Sequence, residues 1–215
     1  MNESDAPKSL ELGLRERKKL ETRRAIADVA MDMFAERGFD AVTVADIAAA
    51  ANVSTKTVFN YFETKEDIVV HRRELVADDL LRAVRSRAPG ESILSVVRQH
   101  TLETAEKLRS VPPERRAAFR KVLQSSPTVL MRFREVAQSR EEALAKLLAE
   151  ETGTDGEDPE PFIVAALLGV LNRLAFCGLT GWPNGKKRAP AKVAEDIERA
   201  FALLEHGLGT YRLKK

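Results

Sequence analysis

The sequence predicts an all-α protein of about nine helices. Three observations carry that expectation. Ala, Leu, Glu and Arg dominate, while aromatics make up only 6% of the 215 residues, a composition that favours helix. Apolar residues recur at spacings of three and four, with no strand-like alternation of useful length. Ser or Thr stands just ahead of several of these runs, where its oxygen can accept from the unpaired amides of a first helical turn.

The chain is long enough to bury a real core, as one large domain or two small ones. Hydrophobic content of 44% with 32% charge suits a globular protein. The net charge is only +2, so affinity for a polyanion has to come from local patches. The lone Cys177 excludes an intramolecular disulfide and suits a reducing cytoplasm, the expected location. Residues 1–13 read as a disordered tail, acidic and polar, with none of the apolar core of a signal peptide. The longest apolar stretch, "PFIVAALLGVLNRLAFCGL", is interrupted by Asn172 and Arg173. A spanning helix needs about 20 apolar residues, so a buried helix is expected and no membrane partner.

The elements follow in order. A helix from Leu14 to about Arg37 buries Ile26, Val29, Ala30, Met33 and Phe34 on one face. Gly38 ends it in a left-handed position, and Phe39 packs back beyond the cap. Thr43 caps Val44 to Ala51, with Asp46 at N3. Asn52 is the least costly non-Gly residue for a left-handed helix end, and Val53 plugs the corner. Ser54 caps Thr55 to about Phe62, with Val58 and Phe62 inward. Thr64, with Asp67 at N3, opens a long helix from Lys65 to about Arg87. Further helices are expected over Glu91–Ser110, Pro113–Ser125, Pro127 to about Glu151, about Glu160–Leu179 and Pro190–Leu208. "TGTDGEDPEP" is the clearest loop. A first domain over 14–64 and a second over 65–215 are therefore expected.

Two short helices joined by a tight turn, behind a longer helix that crosses both, form a helix-turn-helix unit. Such a unit lays the start of its second helix against base edges in the major groove of double-stranded DNA. The outward positions of that helix are Thr55, Lys56, Thr57, Asn60 and Tyr61, all hydrogen-bonding types, and the first four are the candidates for reading bases. Thr43, Ser54, Tyr61 and Lys65 surround them as phosphate-contacting candidates. Arg15, Lys18, Lys19 and Arg23 form a basic arm, although Glu16 and Glu21 within it also suit a solvated face of paired charges.

The stretch "RRAIADVAMDMFAERGFDAVTVADIAAAANVSTKTVFNYFETKEDIV" resembles the DNA-binding domain of the TetR family of one-component transcriptional regulators, over about Thr22 to Val69 without a gap. The chain departs from the family pattern at Asn52, where Gly is usual, and at Phe59, where Tyr is usual. The resemblance implies a repressor released from a palindromic operator by a small molecule, with a variable helical domain that binds the ligand and dimerises through its last two helices.

For a homodimer interface the candidates are Ala166 and Gly169, small enough for close approach, and the stripe that includes Ile197, Phe201 and Leu204. One helix-turn-helix alone reads few base pairs, which also favours a two-fold pair. A ligand pocket is expected from Phe119, Leu123, Met131 and Phe176, with Phe133 and Trp182 as further walls. His100 and Asn172, with Arg173, are its polar anchors. His71, His100 and His206 lack metal-site spacing, and neither a metal, a cofactor nor a catalytic residue is expected. The alternative is a helical ligand-binding or protein-interaction module that no longer binds DNA.

Overall fold

The computed structural model describes residues 14–154, 158–180 and 189–207, apart from the side chains of 14–16, 72–78, 177–180 and 190. The expected tail, Cys177, Trp182 and Leu208 lie outside what is described. Nine α-helices and no strand occur among the described residues. They are α1 (Leu14–Arg37), α2 (Val44–Ala50), α3 (Thr55–Tyr61), α4 (Lys65–Arg85), α5 (Ile93–Arg109), α6 (Pro113–Ser125), α7 (Pro127–Thr152), α8 (Glu160–Thr180) and α9 (Pro190–His206). None of the described helices is long and apolar enough to cross a membrane.

The boundaries follow from local chemistry. Thr43 accepts from the Asp46 amide while the Asp46 carboxylate accepts from the Thr43 amide, a reciprocal capping box at the start of α2. Thr64 and Asp67 repeat it at the start of α4. Several ends differ by one or two residues from the sequence expectation, two of them around the turn between α4 and α5. The long fourth helix stops at Arg85, with Ser86 as its C-cap. The fifth begins at Ile93 rather than Glu91, because Ser92 accepts from the Ser95 amide while the Glu91 carboxylate accepts from the Ala88 amide in the preceding turn.

Two buried clusters organise the packing. The first joins α1, α2, α3 and the start of α4 (Ile26, Phe34, Ile47, Val58, Ile68) to α6 and α7 (Val122, Leu123, Phe133). The second joins the rest of α4 to α5, α7, α8 and α9 through residues such as Val84, Val97, Leu144, Ala165 and Ile197. The helix-turn-helix unit is thus seated on α6 and α7. Three ion pairs reinforce that seat: Arg115 of α6 with Asp28 and Asp32 of α1, and Arg132 of α7 with Asp67 at the head of α4.

Candidate nucleic-acid interface and effector cavity

The turn between α2 and α3 is set by one backbone position. Asn52 sits at φ 54°, the only non-Gly residue with positive φ among the described ones, as its place in the turn requires. Val53 donates back to the Ala48 carbonyl at 2.9 Å, and the chain enters α3 three residues after Asn52. Ser54 accepts from the Thr57 amide at 3.0 Å and shares a hydroxyl hydrogen bond of 2.8 Å with the Thr57 side chain. Val58, fully buried, pins the inner side of α3. The opposite side presents Thr55, Lys56, Phe59 and Asn60 to solvent, with Thr57 and Tyr61 half-buried beside them.

The expected phosphate contacts fall into two groups. Tyr61 and Ser54 stand at the edges of the exposed face. Lys65 does not: its ammonium donates to the carbonyls of Phe39 and Val42, both at 3.0 Å, and lies 4.1 Å from the centre of the Phe39 ring. It closes the loop between α1 and α2 onto α4, which is a structural role. Thr43 also differs, because its hydroxyl donates to Asp46 at 2.7 Å and is held inside the capping box. That box lowers the Asp46 carboxyl below its ordinary range, chiefly through the hydrogen bond from the Thr43 backbone.

Lys18 and Lys19 of the basic arm are exposed, whereas the Arg15 side chain lies outside the described residues. Arg23 turns inward, with its guanidinium 5.1 Å from the centre of the Phe62 ring, so it braces α3 against α1. Arg17 and Glu21 form an i,i+4 pair at 4.0 Å, which makes part of the arm a solvated paired face.

A cavity of about 430 Å³ opens between α1, α4, α5, α6, α7 and α8. Of the expected ligand residues, Phe119, Asn172 and Phe176 line it, as does Arg173. His100 sits behind this wall, with Nδ1 3.4 Å from the Asn172 side-chain oxygen, and positions the anchor without lining the cavity. Leu123 belongs to the first core instead, and Met131 is 59% exposed on the outside of α7. Sequence reasoning missed the contribution of α1 (Ala27, Met31) and the pair Arg115 and Arg116. The pair left a signal: both stand in or next to the first turn of α6, where a cation opposes the helix dipole and needs a partner elsewhere. Arg115 finds Asp32, with Nε to Oδ1 at 2.5 Å, and Arg116 finds the carbonyls of Leu108, Arg109 and Val111.

The expected dimer residues also divide. Ile197 and Phe201 are buried in the second core at 0% and 2% exposure, and Leu204 packs on the same cluster. They hold α9 to its own subunit. Gly169 faces α7, where an added Cβ would stand 2.5 Å from a Glu141 carboxylate oxygen. The missing side chain leaves room for the Arg173–Glu141 ion pair. Ala166 is half-buried beside the truly outward face of α8, made of Phe162, Ile163, Leu167 and Val170.

A short exposed helix with Lys, Thr and Asn outward, carried on a steep capped turn, defines the chain as a helix-turn-helix DNA-binding protein. Residues 26–71 match the family model described as "Bacterial regulatory proteins, tetR family". Over 168 residues, 75% of this chain and 74% of the relative, the sequence is 25% identical to the HTH-type transcriptional regulator TcmR of Streptomyces glaucescens. It is 36% identical over 90 residues, 40% of this chain and 48% of the relative, to the HTH-type transcriptional repressor Rv3405c of Mycobacterium tuberculosis. The fold resembles that of Thermus thermophilus FadR, a TetR family transcriptional repressor solved with lauroyl-CoA, with a TM-score of 0.51 and 23% identity over 90% of this chain and 98% of that one. Residues 26–71 thus carry the DNA-binding domain of the TetR family of transcriptional regulators.

Proposed function

We propose that this regulator is a repressor that holds a palindromic operator as a two-fold homodimer and releases it when a small molecule fills the cavity. The observation that supports this most is the outward face of α3. Thr55, Lys56 and Asn60 are exposed, and no other described residue engages them. Lys56 can donate to guanine acceptors, Asn60 can pair with an adenine edge, and Thr55 offers a hydroxyl and a methyl. Thr57 stands beside them. Ser54, Tyr61, Lys18 and Lys19 lie where the phosphate backbone would pass. The dimer is formed by α8, through the stripe Ile163, Leu167 and Val170 with Phe162 and Ala166 beside it, an exposed apolar patch unusual for a monomer surface. The cavity is walled by α1 and α4, the helices that carry and follow the helix-turn-helix unit, so a ligand that shifts either would change the distance between two recognition helices.

A gel-shift titration on the region upstream of the protein's own gene tests the reading. The expected result is a shift resistant to random competitor DNA, with affinity falling steeply as salt rises. Equal affinity for upstream and random DNA would contradict it.

A further inference from the structure

Resting on the cavity as the effector site, we infer that its ligand is an amphipathic carboxylate, whose hydrocarbon body fills the apolar wall and whose anionic end takes Arg115 from Asp28 and Asp32. The cavity volume lies in the range of sites that enclose small molecules, roughly 300–1,000 Å³. Leu80, Leu81, Leu108, Leu144, Phe119 and Phe176 give it an apolar body. Its described charged lining holds more cations than carboxylates: Arg24, Lys107, Arg115, Arg116, Arg140 and Arg173 against Asp28 and Glu141, with His71, Thr104 and Asn172 as further polar groups. Glu141 is matched with Arg173. Arg116 is aimed by backbone carbonyls at 2.8–3.1 Å, which orient its guanidinium but carry no net charge to neutralise it. A cationic ligand would meet repulsion here, and a neutral one would leave the positive field unanswered.

Arg115 makes that field consequential. Its Nε and Nη2 reach Asp32 and its Nη1 reaches Asp28 at 3.5 Å, across the join between α6 and α1. The Asp32 side chain is 49% exposed, so it can return to water when displaced. A ligand carboxylate offers the same planar two-oxygen acceptor to the same fork. Trading one carboxylate for another conserves hydrogen bonds while cutting α1 loose from α6. The ligand then binds the unlatched state better than the latched one, which is the differential affinity any switch requires.

Calorimetry on the full chain tests this with decanoate, decanol and decyltrimethylammonium, each kept below micelle-forming concentration. Decanoate should bind saturably, one per chain, at least about tenfold tighter than decanol, and the cation should not bind. Asp32→Asn should tighten decanoate several-fold and leave decanol unchanged, because Arg115 loses its competitor. A merely structural Asp32 would not produce that gain. Arg115→Gln should erase the preference for decanoate over decanol. If that variant does not fold, Asp32→Asn alone decides. Decanol or the cation binding as tightly as decanoate would overturn the inference. So would an Asp32→Asn variant with unchanged or weaker decanoate affinity. Operator binding is measured on the same preparations. Operator binding intact but without any anion preference overturns this inference alone. Decanoate bound as expected by a protein blind to its operator supports it and overturns the repressor reading.

Discussion

Asn52, at φ 54°, carries the whole change of direction between α2 and α3. Gly would occupy that conformation without a Cβ clash, so Asn52→Gly should melt at or above the parent temperature. Asn52→Val should be about 1–3 kcal/mol less stable, since a β-branched residue is least tolerated there. Equal melting temperatures for Val and parent would show that the turn does not need a left-handed residue. Lys65→Met should cost about 1.5–3 kcal/mol through loss of charge-assisted hydrogen bonds to Phe39 and Val42. The salt dependence of DNA binding should stay the same; a flatter slope would restore the phosphate role. The Asp46 carboxyl is held low by Thr43, so its folded value lies below its unfolded one. Its contribution is complete above about pH 4 and is lost as pH falls through the lowered value. The stability gap between parent and Asp46→Asn should therefore shrink on acidification toward about pH 3, as chemical denaturation at several pH values would read. Caps and the left-handed turn were legible because each depends on one residue and its near neighbours. The position of Lys65 was not, because its partners lie 23 and 26 residues away in sequence and an exposed-looking Lys at a helix start gives no hint of them.

At the scale of the element, α8 and α9 show where apolar periodicity stops informing. The stripe of Val193, Ile197 and Phe201 in α9 is sharp, but a stripe says only that something covers it. Here α5 and α8 of the same chain do. Phe201→Ala should accordingly cost about 3–5 kcal/mol of subunit stability. In α8 nearly every face is apolar, so the sequence could not separate the side buried at home (Ala165, Leu168, Ala175) from the outward Ile163, Leu167 and Val170. Ile163→Glu with Leu167→Glu should yield a folded monomer whose melting no longer depends on protein concentration, since neither residue is buried in its own chain. Leu204→Glu should destabilise the subunit instead. Sedimentation at several concentrations, beside a thermal melt, separates the two. A double variant that remains dimeric would move the interface off α8.

The whole molecule is arranged so that the DNA-facing unit shares a core with α6 and α7 while the cavity lies beneath α1 and α4. Its class, its nine described helices and the outward exposure of Thr55, Lys56 and Asn60 on α3 could be read from the sequence, because caps, turns and exposed polar residues are local. The cavity could be read only in part. Phe119, Asn172 and Phe176 have the expected chemistry, yet Ala27 and Met31 of α1 reach the cavity through the crossing of distant helices, which periodicity does not encode. The central claim is that α3 reads bases and that two copies of it read one operator. Fluorescence anisotropy with the parent, Lys56→Ala and Asn60→Ala on the operator and on a scrambled duplex tests it most directly. Each substitution should weaken operator binding by about 1–3 kcal/mol, leave scrambled-duplex binding nearly unchanged and relax base preference symmetrically in both half-sites. Equal losses on both duplexes, or no loss on either, would contradict the account.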